Sequence, residues 1–130
     1  MKVPRGGRHV LLVDDDPALL RLVTHWLTDG GFTVTACDSF EDAKQKLTLS
    51  PPDVLLTDVR LGAFNGLQLV ILAKEQRPDM RAVVMSAYDD PMLRQEAARC
   101  GAQYLLKPFS CDAVLGSLPE ASPGGTAAEI

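Results

Sequence analysis

The chain has 130 residues, 46% hydrophobic and 23% charged, with a formal net charge of −4. That length and apolar share suit one domain with a core of its own, and the acidic balance without a Lys/Arg cluster argues against binding nucleic acid. The apolar run after the basic start MKVPRGGR is only Val10–Val13, too short for a signal-peptide core or a membrane span, so a cytoplasmic protein is expected.

Residues 1–8 read as an N-terminal tail, residues 9–118 as the domain, and residues 119–130 (PEASPGGTAAEI) as a flexible end or the start of a linker. The first strand is expected at His9–Val13 (HVLLV), running straight into Asp14, Asp15, Asp16 and Pro17. A helix follows, with Leu19, Leu22, Val23, Trp26 and Leu27 at i, i+3, i+4 spacing. Asp16 can cap it, Pro17 suits its first position, and DGG (29–31) ends it. TVTA (33–36) reads as the second strand. The second helix opens at Ser39 with Asp42 three residues on, a capping-box pattern, and SPP (50–52) stops it. DVLLT (53–57) is the expected third strand, and a third helix runs from about Gly66 to Gln76, closed by Pro78. RAVVMS (81–86) is the fourth strand, with a helix from DDP (89–91) to just before Gly101. QYLL (103–106) is the fifth strand, and a fifth helix starts after Ser110 and meets Pro119. Gly116 inside it costs about 1 kcal/mol and a proline about 3, so little more than two turns are expected. The cysteines Cys37, Cys100 and Cys111 are odd in number and lack C-x-x-C spacing, which favours reduced structural thiols over a disulfide or a zinc site.

The order is therefore βα five times, with strands nearly continuous in apolar character. That predicts a doubly wound, five-stranded parallel sheet covered by helices on both faces. In such sheets ligands sit beyond the carboxyl ends of the strands. Asp14 and Asp15 follow the first strand, Asp58 the third and Lys107 the fifth, while Ser86 ends the fourth. One rim should thus collect three carboxylates, a hydroxyl and an ammonium. Asp16 is spoken for as a helix cap; two consecutive acids before it have no capping use for both. Carboxylate oxygens suit a hard cation such as Mg²⁺, which would offset their repulsion and leave positions open for a phosphoryl oxygen. Lys107 would add positive charge and Ser86 a hydrogen bond, and Asp58 can act as the nucleophile that accepts the group.

The segments LLVDDDP (11–17), LLTDVRLGAFNGLQL (55–69), VVMSAY (83–88) and YLLKPF (104–109) resemble the receiver domain of two-component response regulators over about residues 8 to 118. The resemblance implies a flavodoxin-like (βα)5 fold with strand order 2-1-3-4-5. It makes Asp58 the phosphoacceptor, supplied by a phosphohistidine on a sensor histidine kinase or histidine phosphotransfer protein. Asp15 would hold Mg²⁺ directly, Asp14 partly through water, and the backbone carbonyl of Arg60 would be a further ligand. Ser86 takes the Ser/Thr switch position, Lys107 the family's lysine, and Tyr104 the aromatic that turns inward on activation. The Lys107–Pro108 bond is expected to be cis. Arg60 and Tyr88 occupy variable positions that flank the phosphoryl group and tune its loss to water. The domain would be a phosphoacceptor and not a turnover enzyme, catalysing only its own phosphorylation and dephosphorylation. It would switch the surface formed by the fourth strand, fourth helix and fifth strand, act on an effector domain or protein, and form a phosphorylation-dependent homodimer.

Two departures stand out. Gly62 replaces the proline common in the loop after the phosphoacceptor, so a less rigid loop is expected. The fifth helix is shorter than usual.

Three other readings compete. A flavin-binding flavodoxin-like module would need a Ser-, Thr- and Gly-rich phosphate loop after the first strand, where DDDP stands. A phosphatase of the haloacid dehalogenase type would use Asp14 and Asp16 in D-x-D-x-[TV], but Ala18 stands at the last position and Asp58 is left without a task. A degenerate receiver that binds partners without phosphorylation conflicts with the presence of all five site residues. His9 and His25 lie in a strand and a helix, with no helical bundle to make either a phosphohistidine donor.

Overall fold

In the computed structural model, which describes residues 8–118, alternate residues of each apolar run point to opposite faces of one parallel sheet. Val10, Leu12, Val54, Leu56, Val83 and Met85 enter one core; Leu11, Val13, Leu55 and Val84 enter the other. The period of two in a strand makes this split automatic, and helices must then cover both sides. The elements in chain order are β1 (His9–Val13), α1 (Pro17–Asp29), β2 (Thr33–Cys37), α2 (Phe40–Leu49), β3 (Val54–Asp58), β4 (Arg60–Leu61), β5 (Phe64–Asn65), α3 (Gly66–Gln76), β6 (Arg81–Ser86), α4 (Pro91–Arg99), β7 (Ala102–Leu106) and α5 (Cys111–Gly116). The large sheet runs β2-β1-β3-β6-β7 with every pairing parallel. Leaving aside the two-residue strands β4 and β5, which pair only with each other, this is the expected order 2-1-3-4-5.

The caps explain the boundaries. Asp16 accepts from the amides of Ala18 and Leu19, with Pro17 opening α1. Asp90, with Pro91 behind it, does the same for α4 by accepting from Met92 N at 2.9 Å. Ser39 caps α2 by accepting from Asp42 N at 3.2 Å. The carboxylate of Asp42 faces Lys46 at 3.7 Å, one helical turn on, so the expected box closes on one side only. The full box belongs to α3: Asn65 Oδ1 accepts from Leu67 N and the Gln68 side chain accepts from Asn65 N.

Three expectations are corrected. β3 is shifted by one residue, so Asp58 is the last residue of the strand, in register with Met85 of β6. The segment after it is a β4–β5 hairpin, turning on Gly62 at φ +62°. Proline is locked near −65°, so the loop takes a path that a proline at this position could not follow. Helix α5 spans six residues and ends at Gly116, with Ser117 as its cap, so the glycine terminates the helix instead of weakening its interior. Residues 1–7 and 119–130, which hold most of the expected tails and Pro119, lie outside the described residues. Among the described residues no helix is long and apolar enough to cross a membrane. Cys37, Cys100 and Cys111 are free thiols. Burial and the neighbouring Asp42 push the Cys37 thiol up to about 12, which leaves it protonated and unreactive.

Candidate functional site

Where β1 leaves the sheet, Asp14 is tied down through three bonds. Its amide donates to Cys37 O at 3.1 Å, and Oδ1 accepts from Asp16 N at 2.9 Å. Oδ2 accepts from Lys107 Nζ at 2.8 Å, across 93 positions of sequence. Asp14 is 1% exposed, whereas Asp15 is open to solvent. Asp58, at the end of the neighbouring strand, is buried, and its Oδ1 lies 3.6 Å from the same Lys107 ammonium. Carboxylate oxygens of Asp14, Asp15 and Asp58 all come within 4.8 Å of one another. Asp16 is engaged as the cap of α1, accepting from the amides of Ala18 and Leu19.

The charges are unevenly matched. Burial, then the charge of Asp14, pushes the Asp58 carboxyl above its ordinary value; Lys107 and the donating Arg60 amide offset this only in part. Burial by itself would lower Lys107, but its hydrogen bond to Asp14 and the charges of Asp58 and Asp14 outweigh that and hold it above its ordinary value. The ammonium therefore stays charged at neutral pH, and the rim keeps a surplus of negative charge.

The backbone beneath Asp58 depends on one residue. A Cβ on Gly66 would meet Asp58 O at 2.0 Å and Thr57 Oγ1 at 3.0 Å. Only glycine lets the β4–β5 hairpin return this closely, where Gly66 N donates to Val59 O at 2.6 Å. Asn65 and Gly66, at the start of α3, thus supply the cap and the close approach respectively.

Ser86, 3% exposed, ends β6 beside Asp58. Its Oγ accepts from Tyr88 N at 3.1 Å and donates to Tyr88 O at 3.2 Å, so the hydroxyl is engaged with the loop that follows. Tyr88 is itself exposed, with the Arg60 guanidinium 5.0 Å from its ring centroid. The Tyr104 hydroxyl, from β7, also donates to Tyr88 O. The Lys107–Pro108 peptide is cis. An apolar groove of about 540 Å³ opens beside Lys107, lined by Leu19, Leu22, Trp26 and Phe109 among others. The structure thus gathers Asp14, Asp15, Asp58, Ser86 and Lys107 at one edge, with Arg60, Tyr88 and Tyr104 around it. Sequence reasoning missed Arg94, which stacks on Tyr104 at 4.5 Å and bonds Asp89 at 2.6 Å.

A buried carboxylate with two acidic neighbours, one shared ammonium and a nearby hydroxyl can seat a divalent cation and receive an electrophilic, anionic group. Known proteins resemble this chain in sequence and in fold. The chain is 37% identical over 109 residues to the alginate biosynthesis transcriptional regulatory protein AlgB of Pseudomonas aeruginosa, covering 83% of this chain and 24% of that protein. It is 34% identical over 114 residues to the photosynthetic apparatus regulatory protein RegA of Cereibacter sphaeroides, covering 87% of this chain and 62% of that one. It therefore spans about a quarter of the first and three fifths of the second. Among solved structures, the chemotaxis response regulator CheY4 of Vibrio cholerae superimposes with a TM-score of 0.80 at 26% identity, covering 88% of this chain and 98% of that one. Residues 10–118 match the family model of the response regulator receiver domain, and the chain belongs to that family of phosphorelay signalling domains.

Proposed function

We propose that Asp58 accepts a phosphoryl group from a phosphohistidine on a sensor kinase or phosphotransfer protein, and that the domain reports its phosphorylation through the loop after β6. The observation that carries this is the meeting of Asp14, Asp15 and Asp58 oxygens within 4.8 Å at one edge, with Lys107 shared between Asp14 and Asp58. Acids this close, with a carboxyl raised by burial and by its neighbour, fit a divalent cation. The side chains of Asp14, Asp15 and Asp58, with the Arg60 carbonyl, would hold Mg²⁺. When bound, the ion would neutralise charge on the phosphoryl oxygens.

The remaining chemistry falls to the chain. An Asp58 carboxylate oxygen attacks phosphorus. The phosphorus–nitrogen bond of the donor breaks, and its electron pair stays on the imidazole, which takes a proton from solvent. Lys107 is already within 3.6 Å of Asp58 and can follow the new oxygens as the acceptor gains negative charge. Ser86 can turn from Tyr88 to a phosphoryl oxygen. Water attack at phosphorus reverses the modification, releasing inorganic phosphate and restoring the carboxylate. The groove beside Lys107 offers an apolar seat for the donor's scaffold. Reduced thiols and a phosphohistidine donor suit a cytoplasmic setting. By likeness to regulatory proteins such as AlgB and RegA, the output would pass to an effector segment or partner.

Incubation with acetyl phosphate and Mg²⁺, read by intact mass, tests the reading. One phosphoryl group is expected on the wild type and none on Asp58→Asn. Equal labelling of both would refute it.

A further inference from the structure

The β4–β5 hairpin follows Asp58 and carries Arg60, whose carbonyl the reading above gives to the cation. Its tip has little to hold it. Gly62 and Ala63 at the turn are exposed, and a Cβ on Gly62 would meet nothing within 4 Å. Leu61 and Phe64 are cross-strand partners and so share a face of the hairpin. Leu61 is buried in the core, whereas Phe64 is 44% exposed. The Phe64 ring instead stacks on that of Phe40, with centroids 4.5 Å apart and planes inclined by 10°. Phe40 is itself buried in the core and opens α2. It stands three residues after Cys37, whose carbonyl accepts from Asp14 N at 3.1 Å. The stack therefore ties the segment that leaves Asp58 to the segment that holds Asp14, independently of the β1–β3 ladder.

We propose that Phe40 and Phe64 form a clamp that fixes the β4–β5 hairpin against α2 and thereby sets how tightly the acidic rim binds Mg²⁺. The inference rests on the cation seat proposed above and deepens it. Mg²⁺ demands near-ideal octahedral geometry. A ligand on a hairpin that is not held must be ordered at the moment of binding, and that ordering weakens the affinity. The stacked rings supply the order in advance. Neither ring offers the cation a ligand or touches a reacting atom; both are positioning residues. Because Phe64 is 44% exposed, the effect belongs at the low end for an aromatic pair.

Mg²⁺ titration followed by ¹H–¹⁵N NMR reads the affinity of the folded molecules alone, and amide exchange without metal reads the hairpin itself. Phe64→Leu should bind Mg²⁺ about threefold more weakly than the wild type, the scale of one partly exposed aromatic pair. Without metal, its Gly66 amide, which donates to Val59 O at 2.6 Å, should exchange faster with solvent. Phe64→Tyr keeps the stack and should keep the wild-type affinity. In a Phe40→Leu background, Phe64→Leu should weaken binding no further. Ile71→Ala, at an exposed residue lining the same groove as Phe40 and Phe64, should leave the affinity unchanged. A merely structural Phe64 would lower the urea midpoint of the Leu variant and leave its Mg²⁺ affinity at the wild-type value. That result, in a protein whose wild type binds and whose Asp58→Asn variant binds more weakly, overturns the clamp alone. So does a loss that persists in the Phe40→Leu background or that Ile71→Ala reproduces. A wild type that fails to bind Mg²⁺ overturns the cation seat, and the clamp with it.

Discussion

At the amino-terminal edge of the sheet, Asp53 is matched by partners: His9 N donates to Oδ2 at 2.9 Å, and Arg77 Nη1 lies 3.4 Å from Oδ1 while also donating to Pro52 O at 2.9 Å. At the carboxyl-terminal edge, Asp14, Asp15 and Asp58 cluster around an ammonium that contacts two of them. The same strands, β1, β3 and β6, begin at one edge and end at the other. One edge closes its acid with a backbone donor, His9 N, and a cation at the carboxyl-terminal cap of α3, Arg77. The other leaves a charge surplus that only an added cation or a transferred group can rearrange. The contrast separates an edge arranged for stability from one arranged for chemistry.

The sharpest way to break the contrast is Lys107→Met. Removing the cation strands the fully buried Asp14 beside Asp58, and loss of one partner of a buried pair costs about 3 kcal/mol. Urea denaturation at neutral pH should show that loss, and Mg²⁺ should restore part of it. A variant as stable as the wild type would mean that the carboxylates are neutralised some other way.

Asp58→Asn should act in the opposite direction. A carboxyl raised in the folded state binds protons more readily there than in the unfolded chain, so its contribution falls as pH rises from the ordinary carboxylate range through the raised value. Without added cation, the variant should match the wild type at low pH and exceed it at neutral pH. The gain is on the order of 1 kcal/mol, the low end for relieving a buried polar group short of partners. Thermal melts at two pH values decide it, and a gain that shrinks with rising pH reverses the assigned sign.

The smallest effect is expected at the other edge. Arg77→Met removes an ion pair whose side chains are 37% and 35% exposed, for a loss of about 0.5–1 kcal/mol that added salt screens. If it equalled the loss at Lys107, the two edges would not differ as argued.

Much of this was legible in the residues. Caps at Asp16, Ser39, Asp90 and Ser110 act on amides two or three positions away, so they can be read locally. The acids could be brought to one rim on paper because parallel strands must all point the same way. The β4–β5 hairpin was not legible, since two-residue strands carry no period and Gly62 reads only as a missing proline. The Asn-x-x-Gln spacing that boxes α3 was legible but passed over. Arg94, Asp89 and Tyr104 lie on a helix, a loop and a strand, and nothing in their spacing announces that they touch.

The sequence by itself determined the succession of strands and helices, and with it the edge to which Asp14, Asp15, Asp58, Ser86 and Lys107 come. Those depend on apolar period and capping, whose reach is a few residues. The tertiary structure alone decided that one ammonium serves both Asp14 and Asp58, that Ser86 faces Tyr88, and that Gly66 must lack a side chain against the Asp58 carbonyl. These are matters of ångströms between distant segments, set by strand register and loop path once the two cores have closed.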